Sequence, residues 1–419
     1  MKLLGLVLAI ALFGCEETNS HYCKGNPDNN CAETGGDGGG GGGGGACSSS
    51  SQCSGGTPVC DTTSSTCVQC TADSNDLCTT ATPVCGSNDE CRGCQMHAEC
   101  ASTACLPTGA CGSDANVAYV KPGASNAADT NNCTLESPCA TITRALTIGL
   151  PYIKVTGTVV DNVTIAQDVT ILADPNAMLT PKSPAALVTI SGSSPTVEID
   201  DLELTGASSS SGHGIVIGTG VTPTLTVQRV TISGNAGIGI SASGGTIIVK
   251  RTTVYGNTGG GVYLNFTSWD FENDIIAANG SPTSNYGGIE FDQDATTAPH
   301  IFDFNTVSKN DSNASSGNGV ACIALSTTYT FSDDIVWNDS SSELKTGGDC
   351  NFSYSDIGPN VAATATNIAG DPGLDSKFHI PHGSVAMDAA DPSANEAVDI
   401  DGTARPIGAR RDMGAFETQ

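Results

Sequence analysis

The sequence predicts an all-β chain, most of it a parallel β-helix, preceded by a small disulfide-rich repeat region and a flexible glycine-rich tether. Three observations carry this. First, TLTVQRVTISGNAGIGISAS at residues 224–243 returns 22 residues later as TIIVKRTTVYGNTGGGVYLN at 246–265, and Asn279 lies a further 22 residues beyond Asn257. A fixed period of that length means one structural unit stacked on itself. Second, of nineteen cysteines most crowd into one block ahead of the repeats. Third, glycine is abundant while aromatics are 5% and charged residues 14% of the chain, which suits short strands broken by turns rather than amphipathic helices.

The elements follow in chain order. Residues 1–15, MKLLGLVLAIALFGC, read as a targeting segment: Lys2 is the positive start and Leu3 to Phe13 a short apolar run, too short for a membrane span. The ending LFGC resembles the lipobox of bacterial lipoproteins, with Phe13 larger than that motif favours. The resemblance implies lipidation of Cys15, and Glu16 after it implies the outer membrane. Residues 16–46 hold Cys23 and Cys31, expected to pair, and a run of glycines that can bury nothing and so acts as a tether. Residues 47–112 contain three four-cysteine modules, twice with TPVC at the third cysteine. Modules this small need covalent staples in place of a core. Cys67-x2-Cys70 and Cys91-x2-Cys94 also match zinc-ribbon spacing, but Cys78 and Cys85 fall between them and the module repeat explains every position, so disulfides are expected and no metal. The pairing inside each module stays open.

From residue 113 to 419 the composition shifts to Val, Ile and Thr punctuated by Gly and Asn. Within one copy, residues 246–249, 252–254 and 262–264 form three short strands, which is one coil of a parallel β-helix with each strand pairing to its equivalent about 4.8 Å along the axis. Asn235, Asn257, Asn279, Asn310 and Asn338 are expected to form a ladder at a turn, Asn tolerating a left-handed backbone there and its amide hydrogen-bonding to the next copy. Cys322 and Cys350 each follow a ladder asparagine by twelve residues, which predicts equivalent positions on adjacent coils and a bridge between them. Cys133 and Cys139 should close a local loop near the start.

Residues 116–419 resemble the right-handed parallel β-helix proteins of the pectin-lyase-like class. YVKPGASNAADTNNCTLESPCATITRAL resembles their opening strand and capping helix; DPGLDSKFHIPHGSVAMDAADP and DIDGTARPIGARRDMGAFE resemble their C-terminal signature, expected to cap the last coil. That class includes polysaccharide lyases, glycosidases and surface proteins without known activity, so fold does not decide function.

A polyuronate lyase would need a Lys or Arg base and a cation, with calcium the expected one. Asp200-Asp201, Gln228-Arg229, Lys250-Arg251 and Glu272-Asn273 are equivalent pairs and should form a charged ladder. It offers Lys250 or Arg251 as base, Arg229 beside them, and Asp200, Asp201 and Glu272 around calcium; the competing reading is a salt-bridge ladder that only stabilises a turn. His213 in SGHGIVIG resembles the Gly-His-Gly of polygalacturonases, but their Asn-Thr-Asp and Arg-Ile-Lys partners are missing. His379 and His382 lack a placed carboxylate for metal, and DFEND and Asp333-Asp334 read as solvated turns. Sugar platforms are limited to Tyr255, Tyr263, Trp269 and Trp337.

A net charge of −28 excludes nucleic acid as a partner. The expectation is a monomeric, lipid-anchored cell-surface protein without cofactor, non-catalytic, binding polysaccharide or another surface component and touching membrane only through its anchor. The alternative is a polyuronate lyase.

Overall fold

The computed structural model describes residues 46–313, 318–340, 342–345 and 349–418. Cys15, the Cys23–Cys31 pair and the glycine run lie outside them. No described helix is long and apolar enough to cross a membrane. The chain divides into two units after Thr71.

In the first unit, Val59–Asp61 and Thr66–Val68 form an antiparallel hairpin stapled by Cys47–Cys60 and Cys53–Cys67. In the second unit, Cys94–Cys105 and Cys100–Cys111 repeat that first-to-third, second-to-fourth pattern, and Cys78–Cys91 joins second to fourth. Cys67, Cys91 and Cys94 are thus held in disulfides, which occupies the sulfurs a zinc ribbon would use.

The rest of the second unit is a parallel β-solenoid with three faces. Face 1 runs from Val117–Val120 through Thr196–Asp200, Thr224–Gln228 and Thr246–Lys250 to Cys350–Ser353. Face 2 is a nine-stranded sheet from Thr158–Val160 to Asp356–Gly358. Face 3 runs from Val163–Ile165 to Leu344–Lys345, and it merges with face 1 because Gly260–Glu272 continues unbroken through the corner between them. The 22-residue repeat is one such coil: Thr224 pairs with Thr246 and Lys250 with Glu272, rung by rung. Inward side chains alternate with outward ones, so Ile247, Val249, Val254, Val262 and Leu264 are fully buried. Each contributes roughly 2 kcal/mol.

Two corners turn through left-handed residues. Between faces 1 and 2, Asp201, Arg229, Arg251, Asn273, Phe304 and Asp333 all have φ of 54–62°. Between faces 2 and 3 the left-handed slot belongs to Gly234, Gly256, Ala278, Lys309 and Asn338. The asparagine ladder is the next residue along. The Asn235 backbone N–H and side-chain amide both donate to Asn257 Oδ1, at 3.1 and 2.9 Å, and Asn257, Asn279 and Asn310 repeat this downward. The rung after Asn310 is Asp339, whose Oδ1 accepts from Asn310 at 2.7 and 2.9 Å. Asn338 therefore does not belong to the ladder. It fills the left-handed slot, which Asn tolerates, and the ladder needs only an acceptor there, which Asp339 supplies. The ladder asparagines make the expected amide hydrogen bonds from coil to coil, but they are buried and do not take the left-handed backbone also expected of them.

A second ladder had no forecast. Thr252 N–H donates to Asp274, Asp274 to Asn305, Asn305 to Asp334, and Asp334 to the Ser355 hydroxyl, at 2.7–3.1 Å. Asp274 and Asp334, read from sequence as solvated, are completely buried, and burial pushes both carboxyls well above their ordinary range.

The Cys322–Cys350 disulfide is present, but its cysteines are not equivalent: Cys322 pairs with Phe291 on face 3 and Cys350 with Tyr329 on face 1. The bond crosses the buried interior between adjacent coils rather than running down one column. At the top, helix Ile142–Leu146, capped by the Thr141 hydroxyl at 3.1 Å, covers the first coil beside Cys133–Cys139. At the bottom, Asn367 and Ile368 bond to Ser355 and Val361 packs on the core. The C-terminal signature lies elsewhere. Phe378, Ile400, Ala415 and Phe416 pack on Ile275 and Ala277, and Ile380, Ala386, Ala390 and Met413 on Phe304 and Ile335. Residues 371–418 are a strap along the outside of face 2, not a cap on the last coil. That is why outward face 2 positions turn apolar from Ile275 onward.

Candidate binding cleft

The strap and face 2 enclose a cleft of about 610 Å³ beside the corner column. Arg229 comes from one rung and Arg251, Thr253 and Tyr255 from the next; Lys377, Phe378, His379, Asp401 and Phe416 come from the strap. Rung spacing puts Arg229 and Arg251 about 4.8 Å apart along the axis, both sent outward by the same left-handed bend.

The charged ladder sorts into three arrangements. Lys250 is clamped between Asp270, at 2.6 Å, and Glu272. Burial alone would lower its ammonium, but the hydrogen bonds from Asp270 and Glu272 outweigh this and hold it above its ordinary value. A base needs a free lone pair, so Lys250 is poorly placed for that role. Arg229 is forked onto Asp201 through two hydrogen bonds of 2.7 and 2.8 Å, with Asp200 at 3.6 Å. Arg251 alone keeps its end free: Nε–H donates to the Ile400 carbonyl at 3.0 Å, and it forms no ion pair among the described residues. Burial, with the nearby Arg229, lowers its pKa, the direction that favours an anionic partner.

The calcium set does not assemble. Asp200 pairs in register with Gln228, Gln228 with Lys250 and Lys250 with Glu272, so Asp200 and Glu272 stand three rungs, about 14 Å, apart. Ligands of one calcium lie far closer. Asp201 and Glu272 are moreover committed to Arg229 and Lys250.

His213 serves the backbone: Nδ1 accepts the Ile238 N–H at 2.8 Å, and burial lowers its pKa. His379 packs against Phe416 with the rings tilted by 52° and centroids 3.8 Å apart, and faces Asp375 at 3.3 Å; His382 is exposed. Trp269 is fully buried inside the coil and cannot be a sugar platform, Trp337 packs under the strap, and Tyr263 bonds to Asp292. Tyr255 is exposed in the cleft, its ring 6.1 Å from that of Phe378. Sequence reading missed Lys309, whose ammonium lies 5.3 Å over the Phe378 ring, and Lys377 and Phe378 on the strap. Lys309 holds the left-handed slot just before Asn310, but nothing in the repeat points to Lys377 and Phe378, because the strap reaches the cleft from more than a hundred residues away.

Residues 13–117 match a family of unknown function (DUF8331). No curated protein matches the chain. A crystal structure of pectate lyase Pel9A is similar at 16% identity and a TM-score of 0.40, over 73% of this chain and 96% of that one. The β-helix assignment rests on the parallel ladders themselves.

Proposed function

We propose that this chain is a non-catalytic, cell-surface binding protein, exported and anchored by a lipid on Cys15, whose strap cleft holds an acidic polysaccharide. The observation that carries the reading is the unpaired Arg251 fork in a positive cleft on an acidic protein. Arg229, Arg251 and Lys377, three of the chain's sixteen basic residues, line the cleft against a net charge of −28. Guanidinium forks suit carboxylates, and the exposed ring of Tyr255 suits a sugar face.

The test is retention of the full chain in native gels containing pectin, alginate or a neutral glucan. Retardation is expected with the acidic polymers alone, weakening with salt. Arg251→Ala should raise Kd at least tenfold while the melting curve stays in place. Equal retardation by the neutral glucan, or none by any acidic polymer, would refute the reading. Ultraviolet absorbance from unsaturated products in the same mixtures would instead make the protein a lyase. Labelled fatty acid incorporated into the wild type and absent from Cys15→Ser checks the anchor.

A further inference from the structure

Above the same corner column lies a second cleft, of about 650 Å³, roofed by the third disulfide module. Met96, His97, Leu106 and Pro107 form the roof; Asp174, Pro175, Asp200, Asp201, Arg229 and Arg251 form the floor. Leu106 packs with Leu172 and Tyr119, so the module sits on the solenoid as a wall and not as part of a free stalk. Arg229 and Arg251 line both clefts, which makes them one groove with the arginine pair at its middle.

Asp200 is the unexplained group in this covered end. Its strand points it outward, yet it is only 5% exposed. Its Oδ2 faces Arg229 at 3.6 Å, and its Oδ1 has no hydrogen-bond partner. Buried carboxyl oxygens are seldom left unsatisfied in a native fold. The neighbouring charges are already committed: Lys154 is paired with Asp174 at 2.6 Å, Arg229 with Asp201, and His97 Nδ1 accepts the Cys105 N–H.

We infer that the covered end of the groove seats the terminal residue of an anionic glycan, with the sugar carboxylate on Arg251 and the Asp200 carboxylic acid donating a hydrogen bond to it. This rests on the acidic-polysaccharide reading and adds end recognition to it, taking the module that roofs the cleft as the stop for a polymer entering from the strap side. The groups facing Asp200 are Glu198 and Asp201 on its own strand and corner, Arg229 and Arg251 on later rungs, Asp174 and Lys154 on earlier ones, and His97 from the module. Burial first, then Glu198, raise the Asp200 carboxyl to about 7 against the pull of Arg229. Below neutrality it donates; above, its own charge repels the ligand's. Burial, with the nearby Lys154, lowers the His97 pKa, which disfavours its charged form beside Asp200.

The experiment is calorimetric titration of the full chain with galacturonate oligomers and polymers of defined length, from pH 5.5 to 8.5. One protein bound per polymer chain at every length is the expected result. Affinity should fall about tenfold for each pH step of one above 7. Asp200→Asn, which keeps a donor at every pH, should flatten that fall. Stoichiometry growing with polymer length, or an unchanged pH profile in Asp200→Asn, would overturn the end seat while leaving glycan binding intact. If no polyuronate binds at any pH, both readings fall together.

Discussion

Arg251 and Lys250 are neighbours in sequence with opposite fates. Lys250 ends a strand and points across its own face at Asp270 and Glu272; Arg251 takes the left-handed bend and points at the strap. Composition and spacing cannot separate them, because the difference is one backbone angle and the residues it meets. Lys250→Met tests the structural half of that split. It leaves two facing carboxylates half-buried without their cation, and should cost about 2 kcal/mol at pH 8. The deficit should shrink at pH 5, since burial raises the Glu272 carboxyl and the variant removes the Lys250 ammonium that pulls it down. Polyuronate binding should be unaffected. Denaturant midpoints at the two pH values check the first claim, and a loss of binding would show that Lys250 belongs to the site after all.

At the scale of the coil, the repeat is held from inside by two columns of polar groups as well as by apolar stacking. The asparagine column was legible because identical residues recur every 22 positions. The Thr252–Asp274–Asn305–Asp334–Ser355 column was not, since five residues of four types satisfy the same backbone N–H. Loops also lengthen the later coils, which is why counting placed Asn338 where Asp339 stands. Asn257→Ala removes the acceptor for two donors of Asn235 in a dry interior, and should cost about 3 kcal/mol. Asn257→Asp restores the acceptor, as Asp339 does naturally, but burying the carboxyl costs least when it is neutral. Its melting temperature should match the wild type more closely at pH 5 than at pH 8. A deficit equal at both would mean that the column carries no protonation cost.

For the molecule as a whole, the buried carboxyls and the surface charge act in one direction. Burial lifts Asp356 and Glu290 to about 7 and Asp303 to about 6. Such groups bind protons in the folded state that the unfolded chain has already released, so stability is fully present below about pH 4 and is lost as pH rises towards 7. Self-repulsion from a net charge of −28 adds to the loss. Thermal unfolding should therefore peak in mild acid and fall by several degrees by pH 8. A midpoint that climbs from pH 5 to pH 8 would contradict the buried, protonated carboxyls.

The coil was legible in the chain alone: period, strand alternation, apolar columns and the four-cysteine modules are local patterns, and a solenoid is built from contacts between nearest copies. The chain also marked the corner pairs from Asp200 to Asn273 as equivalent, because register in a parallel stack is set by the repeat. Everything that reaches the groove from outside the stack was invisible in the repeat. The strap brings Lys377, Phe378 and His379 over Arg251, and the third disulfide module brings His97 and Leu106 over Asp200. Those pieces obey no period, and they meet the solenoid by long-range packing that no spacing in the chain encodes.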